Sequence, residues 1–183
     1  MPEPFLLHSC CAPCAIAVID ELRNAYALTV FFYNPNIYPE DEYLRRKREV
    51  VRVCEEWGVP MIDADYEPDV WADAVRGRED EPEGGLRCIS CIGMRLGRTA
   101  REAASRGIAQ FGSTLTMGRQ KRASIVTPLG EEAGAAAGVR YHAEDWKKRG
   151  REEKARRMVA ERGIYRQNYC GCRYSRERRF DFD

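Results

Sequence analysis

The chain has 183 residues, 44% hydrophobic and 32% charged, which is enough for one domain with a sizeable core. No apolar run approaches the roughly 20 residues of a membrane span, and the start lacks the basic and apolar regions of a secretory signal. A cytoplasmic protein with no membrane partner is therefore expected. The formal net charge of +1 excludes a global pull toward nucleic acid, although residues 141–183 carry 13 basic and 8 acidic side chains. Eight cysteines in a reducing compartment argue against a disulfide framework and for metal or redox work.

In chain order, Phe5-Leu6-Leu7 reads as a first buried strand. The loop His8-Ser9-Cys10-Cys11-Ala12-Pro13-Cys14 follows and opens a helix from Ala15. Leu28 to Tyr33 is a second strand, and Asn34 to Pro39 is a turn-rich loop. Residues 40–57 show helical period, with Cys54 alone on the apolar stripe and Gly58 as the stop. Val59 to Ile62 is a short third strand. An acidic segment carries nine Asp or Glu from Asp63 to Glu83, with a short helix over Asp69 to Val75 and a charged loop over Gly77 to Gly85. A long helix runs from about Ile89 to Ser105, and Ile108 to Gly112 is a fourth strand. The polar loop Gly118 to Arg122, a small-residue helix over Leu129 to Ala137 and a fifth strand over Val139 to His142 follow. A basic segment from Asp145 holds a helix near Glu152 to Glu161, then Cys170-Gly171-Cys172, then a charged tail of eleven residues with Arg176, Arg178 and Arg179.

Strands alternating with helices predict an α/β fold, a mostly parallel Rossmann-like sheet flanked by helices. In such sheets ligands bind at the carboxyl ends of the strands. No linker splits the chain, so residues 1–183 form one domain, with the basic segment from about 145 completing the site.

With Cys54 assigned to the core, seven cysteines remain in three groups: Cys10, Cys11 and Cys14; Cys88 and Cys91; Cys170 and Cys172. Each group sits in a turn or at a helix start, where the helix dipole favours the thiolate that binds metal. Seven exceeds the four ligands of one zinc or one four-iron cluster. Four plus three is the natural partition: a closed cluster, and a second metal with an open position. Cys10 and Cys11 point opposite ways if locally extended, so they can serve different centres. On the residues alone, a structural zinc module that binds RNA and a thiol–disulfide oxidoreductase both remain open. His8 is a candidate proton donor or partner of a thiolate. Tyr33, Asn34 and Asn36 offer hydrogen bonds near the second strand's end, and Tyr165, Arg166 and Tyr169 combine rings with a guanidinium that can stack unpaired RNA bases.

The motifs LLHSCCAPC, YNPNIYPEDEYLRRK from Tyr33, RCISC with Arg95-Leu96, STL at Ser113, DWKKRG from Asp145 and IYRQNYCGCRYS from Ile164 run nearly end to end. By them the chain resembles the QueH-type epoxyqueuosine reductases. The resemblance implies a HUP-like fold and a 4Fe–4S cluster beside one further metal ion, iron with zinc as the alternative. It also implies reduction of epoxyqueuosine in tRNA to queuosine with electrons from a low-potential donor of the ferredoxin or flavodoxin type. On the family pattern the seventh ligand falls on Cys14. The expected cluster ligands are Cys11, Cys88, Cys91 and one of the last pair, taken as Cys170. Cys10, Cys14 and Cys172 are then left for the open ion, which places Cys10, Cys14 and His8 at the chemistry. One departure is that Met117-Gly118 stands after STL, where the family usually carries Ser-Pro.

Overall fold

A computed structural model describes residues 1–180, without the side chains of 177–180. Five strands form one all-parallel sheet: β1 (Pro4–His8), β2 (Ala27–Phe32), β3 (Met61–Asp63), β4 (Gln110–Ser113) and β5 (Arg140–Tyr141). Their order is β3-β2-β1-β4-β5. The helices are α1 (Ala12–Leu22), α2 (Glu40–Trp57), α3 (Pro68–Ala74), α4 (Leu86–Ser105), α5 (Ala123–Ala137), α6 (Arg151–Glu161) and α7 (Arg173–Phe180). Among the described residues no helix is long and apolar enough to cross a membrane.

Strand alternation sends side chains to two cores. Phe5 and Leu7 of β1, with Val30 and Phe32 of β2, pack on α1 and α2. Leu6 and Phe31 face the other way, onto Ile92, Leu96 and Ala100 of α4 and Val126 of α5. Cys54 lies in the first core, 2% exposed. Helices therefore cover both faces, as a parallel sheet requires.

The order reverses at β1, which has β2 on one side and β4 on the other. His8 pairs with Phe31 of β2 and with Ser113 of β4. This switch point opens a crevice beyond the carboxyl ends of β1 and β4. It places the loop after His8 against the loop after Ser113.

Several boundaries differ from the sequence expectation for local reasons. Gly58 takes φ +62 and Val59 N–H donates to the Cys54 carbonyl, a helix-closing contact that holds Val59 out of the sheet. Pro60 has no N–H to give, so β3 starts at Met61. Helix α5 begins at Ala123, earlier than Leu129, and carries Pro128 inside it. Helix α4 starts three residues before Ile89, at Leu86, which moves Cys88 into its first turn. The tail begins as α7; Arg178 and Arg179 lie outside the described side chains.

Candidate metal and substrate site

Cys11 is the N-cap of α1, in extended backbone, and Cys14 stands one turn inside. The sulfurs of Cys10, Cys11 and Cys14 all lie within 4.8 Å of one another, with Cys10 and Cys11 3.8 Å apart. Cys10 Sγ also meets Thr114 Oγ1 at 3.7 Å, across the β1–β4 boundary. Hydrogen bonds from the Cys11 and Cys14 thiols hold Cys10 well below the usual thiol range. Their own thiols rise, chiefly through those same bonds, Cys11 to about 12. One negative charge is thus shared at the positive end of α1.

The other four thiols come from the start of α4 and from the chain before α7. Gly84 N–H donates to Cys88 Sγ at 3.2 Å, and Cys172 packs with Cys91, Trp71 and Val75. Burial pushes the Cys172 thiol up to about 12. Gly171 has φ +130, and a Cβ there would stand 3.0 Å from Arg46 Nη1. Glycine alone fits both conditions, and it lets the thiols on either side of it diverge.

Two cavities adjoin. The wide one, about 640 Å³, is lined by Cys10, Cys14 and Cys170 together with Asn36, Lys121 and Gln167. Arg119, Lys147, Arg156, Arg166 and Tyr169 line it as well. The narrow one is lined by Cys88, Cys91, Cys170 and Cys172, with Trp71, Arg87, Arg95 and Lys121. At about 20 Å³ it has room for about one water, so admitting a cluster requires its side chains to turn apart.

The donor chemistry fits metal–thiolate groups. Arg87 and Arg95 are 1% and 2% exposed, and Lys121 holds its Nζ enclosed, 3.2 Å from Cys170 Sγ. Among the described residues none of the three pairs with a carboxylate. Burial works against the Lys121 ammonium, but the nearby Cys170 and Cys10 outweigh it and hold its proton more tightly than usual. Arg95 is likewise held charged against burial by Cys91 and Cys10. Glu83 lines both cavities without an ion pair to any of the three among the described residues, so these buried cations call for another anion, a place that thiolates fit.

The C-terminal pair is fixed by Arg46, 3% exposed. Its guanidinium donates to the carbonyls of Cys170 at 2.9 Å and Tyr169 at 3.3 Å, and pairs with Glu42 at 2.7 Å. Gln167 Nε2 donates to Cys11 Sγ at 2.9 Å, which joins the last segment to the first loop.

The geometry separates the expected site residues. Asn36, Arg166 and Tyr169 line the wide cavity, and the Asn36 Oδ1 is buried without a hydrogen-bond partner among the described residues. Tyr33 donates to Glu67 at 3.1 Å, and Asn34 donates to the Ser9 carbonyl at 2.8 Å and accepts from Arg95. Tyr165 donates to Glu42 beneath the Arg45 guanidinium. These three lie outside the cavity linings. His8 is fully buried; Nε2 donates to the Tyr33 carbonyl and Nδ1 accepts from Ser113 Oγ, both at 3.0 Å. Burial lowers its pKa to about 4, so it is neutral and braces β1 against β2 and β4 from behind the site.

Arg46, Trp71, Lys121 and Gln167 were not singled out as site residues by sequence reasoning. One signal was present: Arg46 and Arg95 interrupt the buried stripes of α2 and α4, where a charge needs a buried partner.

The family model described as epoxyqueuosine reductase QueH matches residues 5–178. The chain belongs to the QueH family. The epoxyqueuosine reductase QueH of Histophilus somni is 41% identical over 172 residues, 93% of this chain and 71% of the relative. That of Acinetobacter baylyi is 39% identical over 175 residues, 94% of this chain and 80% of the relative. That of Thermotoga maritima is 37% identical over 173 residues, 93% and 88%. The QueH match spans all three thiol groups, from the Cys10 loop to Cys172.

Proposed function

We propose that this chain reduces the epoxide of epoxyqueuosine at the wobble position of tRNA to the alkene of queuosine. The step takes up two electrons and two protons, and the oxygen leaves as water. The observation that carries this reading is the gathering of six thiols around two adjoining cavities, with Cys11 beside Cys10 and Cys14, at the switch point of a QueH-family chain.

Cys11, Cys88, Cys91 and Cys172 hold a 4Fe–4S cluster, and Cys10, Cys14 and Cys170 hold a single ion, iron or zinc. Cys170 joins the single-ion set because it borders the wide cavity with Cys10 and Cys14, whereas Cys172 borders only the narrow one. A second partition is favoured by the 3.8 Å between Cys10 and Cys11, which matches the edge of about 3.8 Å of a thiolate tetrahedron at a metal–sulfur bond of ~2.3 Å. In it Cys10, Cys11 and Cys14 share the ion and the other four hold the cluster. When bound, the two groups supply single electrons and a Lewis-acid position.

The residues of the wide cavity bind and orient. Its 640 Å³ suits a nucleoside. Asn36 Oδ1 accepts from a substrate hydroxyl or N–H, while Arg166 and Tyr169 stack on unpaired bases. Arg119, Lys147 and Arg156 meet anticodon phosphates. Lys121 keeps its positive charge on the cavity wall, where it stabilises negative charge on the departing oxygen. The electrons come from an external low-potential donor.

Nucleoside analysis of tRNA from a strain lacking this gene tests the reading. Epoxyqueuosine accumulates if it is right; unchanged queuosine in a strain with no second reductase refutes it. Anaerobic metal analysis separates the other classes, because stoichiometric zinc without sulfide marks a structural module and a metal-free active dithiol marks a thiol–disulfide oxidoreductase.

A further inference from the structure

The narrow cavity holds hydrogen-bond donors as well as thiols. Trp71 is 3% exposed and packs its ring with Cys91 and Cys172. Its Nε1 is buried without an acceptor among the described residues. Arg87 gives Nη1 to the carbonyls of Glu79 and Glu81 and lies over the Tyr174 ring, while its Nε and Nη2 are buried without a hydrogen-bond partner among the described residues. Both side chains line the cavity with Cys88, Cys91, Cys170 and Cys172, and with Glu83, whose carboxylate accepts from Ser175 and from neither of them among the described residues. Buried N–H groups in a native fold are normally satisfied. One water, the most this cavity admits, accepts about two hydrogen bonds and carries no charge to answer the guanidinium. The missing acceptor is therefore anionic and many-sided, with several acceptor atoms facing different walls. Sulfur atoms on an iron–sulfur cluster have that character.

We infer that Trp71, through Nε1, and Arg87, through Nε and Nη2, donate N–H···S hydrogen bonds to the cluster and tune its reduction potential. The inference rests on the cluster assigned above and holds for either partition, since Cys88, Cys91 and Cys172 are cluster ligands in both. The tuned step is one-electron reduction by the external donor, with no bond made or broken. The reduced cluster is the more negative, so these donors stabilise it more than the oxidised form and raise the potential. They are positioning residues, not catalytic ones: neither lines the wide cavity among the described residues.

The test uses the anaerobically purified, cluster-loaded enzyme, wild type and Trp71→Phe, which keeps an aromatic ring and removes the N–H. At a fixed solution potential near the wild-type midpoint, electron paramagnetic resonance reads the ratio of reduced to oxidised cluster. That ratio falls by about tenfold in the variant, ~59 mV for a one-electron couple. In wild-type enzyme labelled with ¹⁵N in the tryptophan indoles, pulsed resonance on the reduced cluster shows a ¹⁵N coupling, since Trp57 and Trp146 line neither cavity. An unchanged ratio, or a loaded wild-type cluster with no ¹⁵N coupling, overturns the inference and leaves the reductase reading standing. If the variant fails to hold a cluster, the wild-type coupling decides alone. A wild-type protein with no iron and no sulfide sinks both.

Discussion

Arg46 of α2 makes the buried charged contacts to the C-terminal thiol pair, so its removal should loosen that pair while the core stays folded. Arg46→Met loses two charge-assisted bonds, to the carbonyls of Cys170 and Tyr169, and the pairing with Glu42. Bonds to charged groups contribute about 1.5–3 kcal/mol each, and breaking a buried pair costs about 3–5 kcal/mol. These figures overlap and do not add. Glu42 keeps the Tyr165 hydroxyl at 3.0 Å and is partly exposed, so the low end, about 3 kcal/mol, applies. At about 1.4 kcal/mol per decade that is on the order of 100-fold in the open population of the segment. Alkylation of metal-free protein, read peptide by peptide in the regime where opening and closing are fast relative to labelling, should speed up by that factor at Cys170 and Cys172. Cys54, in the α1–α2 core, should label at the wild-type rate. Arg46→Lys keeps the charge without the fork and should fall between. If Cys170 labels within about threefold of wild type, or if Cys54 accelerates equally, the segment is not held by this guanidinium.

Three further outcomes follow from the site. Cys10→Ser should keep the cluster's colour and lose turnover, whereas Cys11→Ser should lose both; if the two behave alike in iron and sulfide content, the partition that puts all three loop thiols on one ion is the correct one. Replacing Arg119, Lys147 and Arg156 together with Gln should weaken tRNA binding and flatten its salt dependence by about 2 in the log–log slope, at about 0.7 per phosphate on a single strand; an unchanged slope places the tRNA elsewhere. Glu21 is held below the usual carboxylate range chiefly by hydrogen bonds from Arg151, whose Nε and Nη2 each reach it at 2.8 Å. Its contribution is therefore present above the ordinary glutamate range and lost as pH falls through the lowered value. With Glu21 43% exposed, Glu21→Gln should cost under about 1 kcal/mol at pH 7. That difference should shrink in denaturant titrations as pH falls through the lowered value, and a loss that is the same at pH 7 and at acid pH contradicts the ion-pair account.

The central strands β1, β2 and β4 were legible because each is a largely buried run, and burial on both faces removes ambiguity about which elements are central. The thiol groups were legible because close cysteine spacing has few structural explanations. Cys54 could be set apart because it lies alone on a helical stripe. Which thiols share a cavity was not legible: Cys170 meets Lys121 across 49 positions of sequence, and only the crossover between β1 and β4 brings them together. His8 illustrates the same limit. A histidine beside a cysteine doublet suggests proton transfer, yet β1's pairing with both neighbours turns its ring into the sheet, onto Ser113 and the Tyr33 carbonyl. Trp71 and Lys121 carried no spacing signal at all, since their roles come from distant backbone that closes over the narrow cavity.

The most direct test of the central claim is turnover by the purified, anaerobically loaded protein with tRNA bearing epoxyqueuosine and a low-potential reductant. Digested product should contain queuosine in proportion to enzyme and time, with two electrons consumed for each molecule formed. Loaded protein that binds the tRNA but leaves epoxyqueuosine intact under those conditions would contradict the account.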